Sequence, residues 1–133
     1  MEFHHMVRVY FEDTDFTARV YHGAFVRFFE RGRTEMLRAA GVSHSALANR
    51  PEPLWFALRK MSLEFLASAR IDDLLTVRSI GGGRPKAAIA MNQEIWRDEL
   101  LVARAAVELC LINGRGQPRR VPPDVADALA AWA

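Results

Sequence analysis

Residues 11 to 22 read Phe-Glu-Asp-Thr-Asp-Phe-Thr-Ala-Arg-Val-Tyr-His. That short stretch gathers the carboxyl groups of Glu12, Asp13 and Asp15, the imidazole of His22 and two threonine hydroxyls. Neither a helical nor a strand period explains so much acid beside so much aromatic. A carboxylate can attack a carbonyl or draw a proton from water, and an imidazole can donate a hydrogen bond to developing charge. Asp15 and His22 are the candidate reactive groups. Asp13, Thr14 and Tyr21 suit turn hydrogen bonding and packing.

The elements that must position these groups follow from apolar spacing. Val7 to Glu12 alternate loosely, as a half-buried strand does. Phe25, Phe28, Phe29, Met36, Leu37 and Ala40 trace one stripe of a helix that begins at His22 or Gly23 and ends at Ala40, with Gly41 free to take the left-handed cap conformation. On the outer face Arg27, Glu30, Arg31 and Glu35 form a charged surface, where Arg31 and Glu35 are spaced for an ion pair. A second short helix is expected over Ser43 to Asn49, with Ser43 as its N-cap and Pro51 and Pro53 ending it. Four strands then follow, centred on Met61 to Phe65, Leu74 to Ile80, Ala87 to Ile95 and Leu101 to Ile112. Turn signals at Arg70 to Asp73, Gly81 to Pro85, Arg97-Asp98 and Asn113 to Gly116 separate and close them. Pro122 and Pro123 start a terminal helix on which Val125, Leu129 and Trp132 share a face.

The chain has 133 residues, the size of one domain spanning 1–133. Half of them are apolar, the profile of a folded soluble protein. No apolar run approaches the roughly 18 residues that cross a bilayer, and the first ten residues lack a signal-peptide core, so the cytoplasm is the expected location. The net charge of +2 comes from scattered arginines with no basic block, which argues against nucleic acid and leaves room for a phosphorylated small molecule. The single cysteine, Cys110, reads as a small buried hydrophobe. His4, His5 and His44 complete no metal pattern with it, so no metal is expected.

Asp13 to Thr17 spells D-x-D-x-T, which is similar to the phosphate-transferring loop of haloacid-dehalogenase-type phosphatases. Those enzymes need alternating strand and helix units around a parallel sheet. Here a strand and a long helix precede a run of strands, which argues instead for an α+β domain with an antiparallel sheet and the helix on one face.

One long helix wrapped by an antiparallel sheet resembles the hotdog fold. Phe11 to Asp15, Val20-Tyr21-His22, Phe28 to Arg31 and Arg33 to Arg38 resemble the acyl-CoA thioesterases associated with the bacterial Tol-Pal system, a subgroup similar to 4-hydroxybenzoyl-CoA thioesterases. Arg59 to Met61, Glu64, Ala69-Arg70 and Asp72-Asp73 extend the resemblance, which spans about residues 7 to 112. It implies hydrolysis of a short-chain or aromatic acyl-CoA to the free acid and coenzyme A, with Asp15 as nucleophile or general base. Asp15, a few residues before the long helix, is expected near amide groups whose partial positive charge keeps a carboxylate ionised. The resemblance also implies a backbone N–H near Pro53 to Phe56, best placed at Trp55, that polarises the thioester carbonyl; such a donor is worth about 3 kcal/mol.

Coenzyme A enters only as part of the substrate, with no other cofactor, and Arg59, Lys60, Arg84 and Lys86 are the candidates for its phosphates. Open sheet edges imply a homo-oligomer, a dimer of dimers with the site between subunits, and an acyl carrier protein is a possible partner. Glycines common in the family loop are replaced by Phe16-Thr17-Ala18-Arg19, which restricts the backbone. Two alternatives share the fold: a non-catalytic acyl-carrier or envelope-complex binding partner, and a hydratase or dehydratase.

Overall fold

A computed structural model describes residues 2–131. The chain runs β1 (Glu2–Arg8), a single 3-10 turn (Phe11–Asp13), α1 (His22–Ala39), α2 (His44–Ala48), β2 (Trp55–Phe65), β3 (Leu74–Gly81), β4 (Ala88–Arg97), β5 (Leu100–Ile112), β6 (Pro118–Arg119) and α3 (Pro123–Ala130). The strands form one antiparallel sheet in the order β1-β3-β4-β5-β2, with β6 added to β5. This is the expected α+β arrangement, and it excludes the parallel sheet that a phosphatase loop would need.

The expected stripe on α1 is the core. Phe25, Phe28, Phe29, Met36 and Leu37 are buried against β1, β3 and β4. Burying each aromatic ring contributes about 1.5–3 kcal/mol. At the crossing point a Cβ on Gly32 would lie 2.4 Å from Val77 Cγ1, so only glycine allows the helix this close to the sheet. Beside it Gln93 Nε2 donates to the Phe29 carbonyl (2.8 Å) and to Ser79 Oγ (2.9 Å), which ties the helix to the strands through buried polar groups. The helix ends as expected, with Ala40 as C-cap and Gly41 at φ +86°.

Four details differ from the sequence reading. The first strand lies earlier, at Glu2–Arg8, because Asp13 Oδ2 accepts the Tyr10 amide (2.8 Å) and folds Phe11–Asp13 into a turn. The second strand starts at Trp55 and carries a bulge between Leu58 and Lys60. Glu35 pairs with Arg38 (3.2 Å) rather than Arg31, whose guanidinium lies 6.0 Å from the Phe28 ring centroid. The short strand β6 carries no alternating pattern long enough to read. The expected contribution of Trp132 to the face of α3 lies outside the described residues.

Candidate active site

The acidic stretch becomes a small hairpin whose two sides meet at a Thr14–Val20 bridge. The Asp15 amide donates to the Arg19 carbonyl (2.9 Å) and the Ala18 amide to the Asp15 carbonyl (3.0 Å), so Phe16 and Thr17 form the tip. Ala18 adopts φ +63°, the left-handed conformation that glycine would take freely, so the loop keeps its turn without glycine. The Val20 amide donates to the Ala69 carbonyl (2.8 Å), which pins the hairpin to the segment just after β2.

Asp15 is half-buried. Its Oδ1 accepts the Thr17 hydroxyl at 2.5 Å and the Thr17 amide at 2.8 Å. These bonds, with Arg19 and His22 nearby, hold its carboxyl below the usual carboxylate range. The cause differs from the sequence expectation, which credited the amide groups at the start of α1. The donors come from Thr17, within the loop stretch where the family commonly has glycine.

His22 is the first residue of α1 and is exposed. Its ring lies 4.2 Å from that of Tyr21 and 6.4 Å from that of Phe65, while Phe25 and Phe65 are 5.8 Å apart. The His22 imidazole thus stands beside the exposed rings of Tyr21 and Phe65, with Asp15 among its charged neighbours and Phe16 fully exposed at the hairpin tip. Asp13, only 3 % exposed, is committed to the Tyr10 amide and faces Arg27 at 3.9 Å. Thr14 donates to the Phe11 carbonyl (2.7 Å). Both serve the loop, as expected.

The other predicted site residues stand apart within one chain. Phe65, at the end of β2, is the residue beside His22, and Trp55 begins the same strand, ten residues or about 33 Å of extended chain away. Arg59 and Lys60 lie midway, at the bulge, where Arg59 approaches Glu108 at 3.8 Å. Arg84 and Lys86 belong to the β3–β4 loop at the far end of α1, and Arg84 pairs with Asp127 of α3. The structure therefore brings Asp15 together with His22 and Thr17, and separates them from Trp55 and from the four cations. Among the described residues no group of three or more His, Cys, Asp or Glu side chains could hold a metal ion, and no helix is long and apolar enough to cross a membrane.

A helix laid across one face of an all-antiparallel sheet, with an acidic loop at the helix start, defines a hotdog domain. The model of the thioesterase-like superfamily matches residues 9–129, and the chain belongs to that family. It is 34% identical over 123 residues to the acyl-CoA thioesterase YbgC of Haemophilus influenzae, covering 92% of this chain and 90% of that protein. It is 37% identical over 121 residues to the acyl-CoA thioester hydrolase YbgC of Escherichia coli O157:H7, covering 90% and 89%. The crystal structure of a probable thioesterase from Bartonella henselae superposes with a TM-score of 0.89 at 40% identity, over 92% of this chain and all of that one.

Proposed function

We propose that this protein hydrolyses acyl-CoA thioesters to a free acid and coenzyme A, with Asp15 as the group that starts the reaction. The observation that carries this reading is the geometry of Asp15. Its Oδ1 is held by Thr17 and its carboxyl is kept charged below the usual carboxylate range, with Arg19 and His22 nearby. The relatives named above, which match along nearly their whole length, are called acyl-CoA thioesterases or thioester hydrolases. An ionised carboxylate either adds to the thioester carbonyl or takes a proton from the attacking water, and coenzyme A leaves as the thiol.

The separation of Trp55 from Asp15 supports a site shared between two copies. The strand β2 is an edge strand of 11 residues with half-exposed apolar side chains. Antiparallel pairing with β2 of a second copy about its midpoint lays the partner's Trp55 beside Phe65 and the Asp15 loop of the first. Such pairing satisfies the open edge and brings a backbone donor to the carbonyl. A pair of such dimers gives the tetramer. Arg59 and Lys60, at the middle of the same strand, then stand near the shared groove as phosphate ligands.

The test is thiol release from a panel of short-chain and aromatic acyl-CoAs. Wild type is expected to turn over at least one member, and Asp15→Asn to lose about 10²–10⁴-fold, the contribution of a positioned base. Equal rates for the two proteins would remove Asp15 from the reaction.

A further inference from the structure

A cavity of about 140 Å³ lies at the C-terminal end of α1, beneath the β3–β4 loop and against α3. Its floor is apolar and buried: Met36 from α1, Ile89 and Met91 from β4, and Leu129 from α3. Gly81 to Gly83 form part of its wall, so no side chain from these positions fills it. Arg84 and Lys86 are the charged groups among its lining. Asp127 already neutralises Arg84, whereas Lys86 makes no ion pair among the described residues. The rim therefore carries one uncompensated positive charge above the apolar floor.

The pocket opens to solvent, so a small ligand can reach its apolar floor from the rim. A dry cavity of roughly 150 Å³ lined by aliphatic and aromatic side chains is known to take up benzene. Volume and charge together select a ligand with one ring or a compact branched chain and a single anionic group. We propose that this cavity is a second ligand site, which binds a small aromatic monocarboxylic acid with its ring against Met36 and Met91 and its carboxylate at Lys86.

The site lies well away from the reactive loop. Met36 is 14 residues beyond His22 on one helix, about 21 Å along its axis. An acid held there does not occupy the place of the acyl group at Asp15. Thioester hydrolysis releases a carboxylate, so the cavity takes the chemical class of the reaction's own product. The binding itself does not depend on the thioesterase reading, because it is measured without any acyl-CoA.

The experiment is a titration of the full chain with benzoate, followed by the NMR signals of labelled methionine methyl groups. Saturable movement of Met36 and Met91 is expected, with Met6 unchanged and with a melting temperature that rises with benzoate concentration. Lys86→Gln should weaken binding roughly tenfold, the scale of one charge-assisted hydrogen bond. Ala40→Leu, which adds bulk at the cavity wall, should abolish binding. Three results would overturn the proposal: no saturable movement of Met36 and Met91, movement of Met61 alone, or benzoate binding that neither variant changes. Toluene binding as tightly as benzoate would overturn the assignment of the carboxylate to Lys86.

Discussion

Both donors of Thr17, its hydroxyl and its amide, converge on one oxygen of Asp15, and Oδ2 is left without a hydrogen-bond partner among the described residues. Thr17, in the loop stretch where the family commonly has glycine, thus fixes the rotamer of the carboxylate proposed to react. The same bonds favour the charged form, so the Asp15 carboxyl is held below its ordinary range. A group with a depressed pKa keeps its charge, and its contribution to stability, until the pH falls through that lowered value. Thr17→Val removes the hydroxyl donor while keeping the side-chain shape. The acid limb of kcat/KM should move to higher pH in this variant, and Thr17→Ser should restore it. A pH profile of all three proteins checks this, and coincident acid limbs would show that the hydroxyl does not reach the reacting carboxylate.

Ala18 stands at φ +63° one residue further along the same hairpin. An L-residue with a Cβ pays about 1–2 kcal/mol in that conformation, and glycine gives part of this back as unfolded-chain entropy. Ala18→Gly should therefore raise the unfolding free energy by about 1 kcal/mol. Urea denaturation measures it, and a loss of stability would mean that the left-handed turn is not kept in solution.

The helix and the sheet were legible in the sequence because each buries one face, and the spacings of Phe25 to Leu37 and of Leu74 to Ile112 record those faces. What escaped periodicity was decided by single side-chain to backbone bonds. Asp13 captures the Tyr10 amide and ends the first strand early, and no spacing of apolar residues announces that event. The start of β2 was obscure for another reason: Trp55, Leu58, Arg59 and Lys60 are exposed on an edge strand, where no alternation between core and solvent is enforced. Asp15 was singled out by its motif, and the structure shows its carboxyl held by Thr17. The role of Thr17 was not, because the resemblance supplies glycine at such loop positions, and the distance between Asp15 and Trp55 depends on strand direction, which residue order alone does not give.

Close approach of α1 to the sheet yields a third prediction. A helix interior ordinarily gains 0.5–1 kcal/mol, roughly, when glycine becomes alanine. At Gly32 the new Cβ would meet Val77 at 2.4 and 3.1 Å, and Val77 is buried and branched. The clash outweighs the gain, so Gly32→Ala should destabilise the protein by about 1–3 kcal/mol. Pairing it with Val77→Ala should recover part of that loss in a double-mutant cycle. Additive effects of the two substitutions would contradict the contact.

The last prediction concerns the open edge. Met61 sits one residue from the midpoint of β2, on the face shared with Phe65 and Leu63, and is half-buried in a single chain. If two copies pair antiparallel with Trp55 of one opposite Phe65 of the other, Lys60 of each copy lies at the two-fold axis and Met61 of one faces Arg59 of the other. Met61→Lys then sets a lysine against the partner's Arg59 and beside the two Lys60 side chains, a concentration of like charge on an edge strand that opposes pairing. The variant should sediment as a monomer while its circular dichroism stays that of the folded chain. Its thioester hydrolysis should fall with its assembly, since each Asp15 would lack the Trp55 amide of a neighbour. Hydrolysis that persists in a sedimenting monomer would show that one chain completes the site alone, and would remove Trp55 from it.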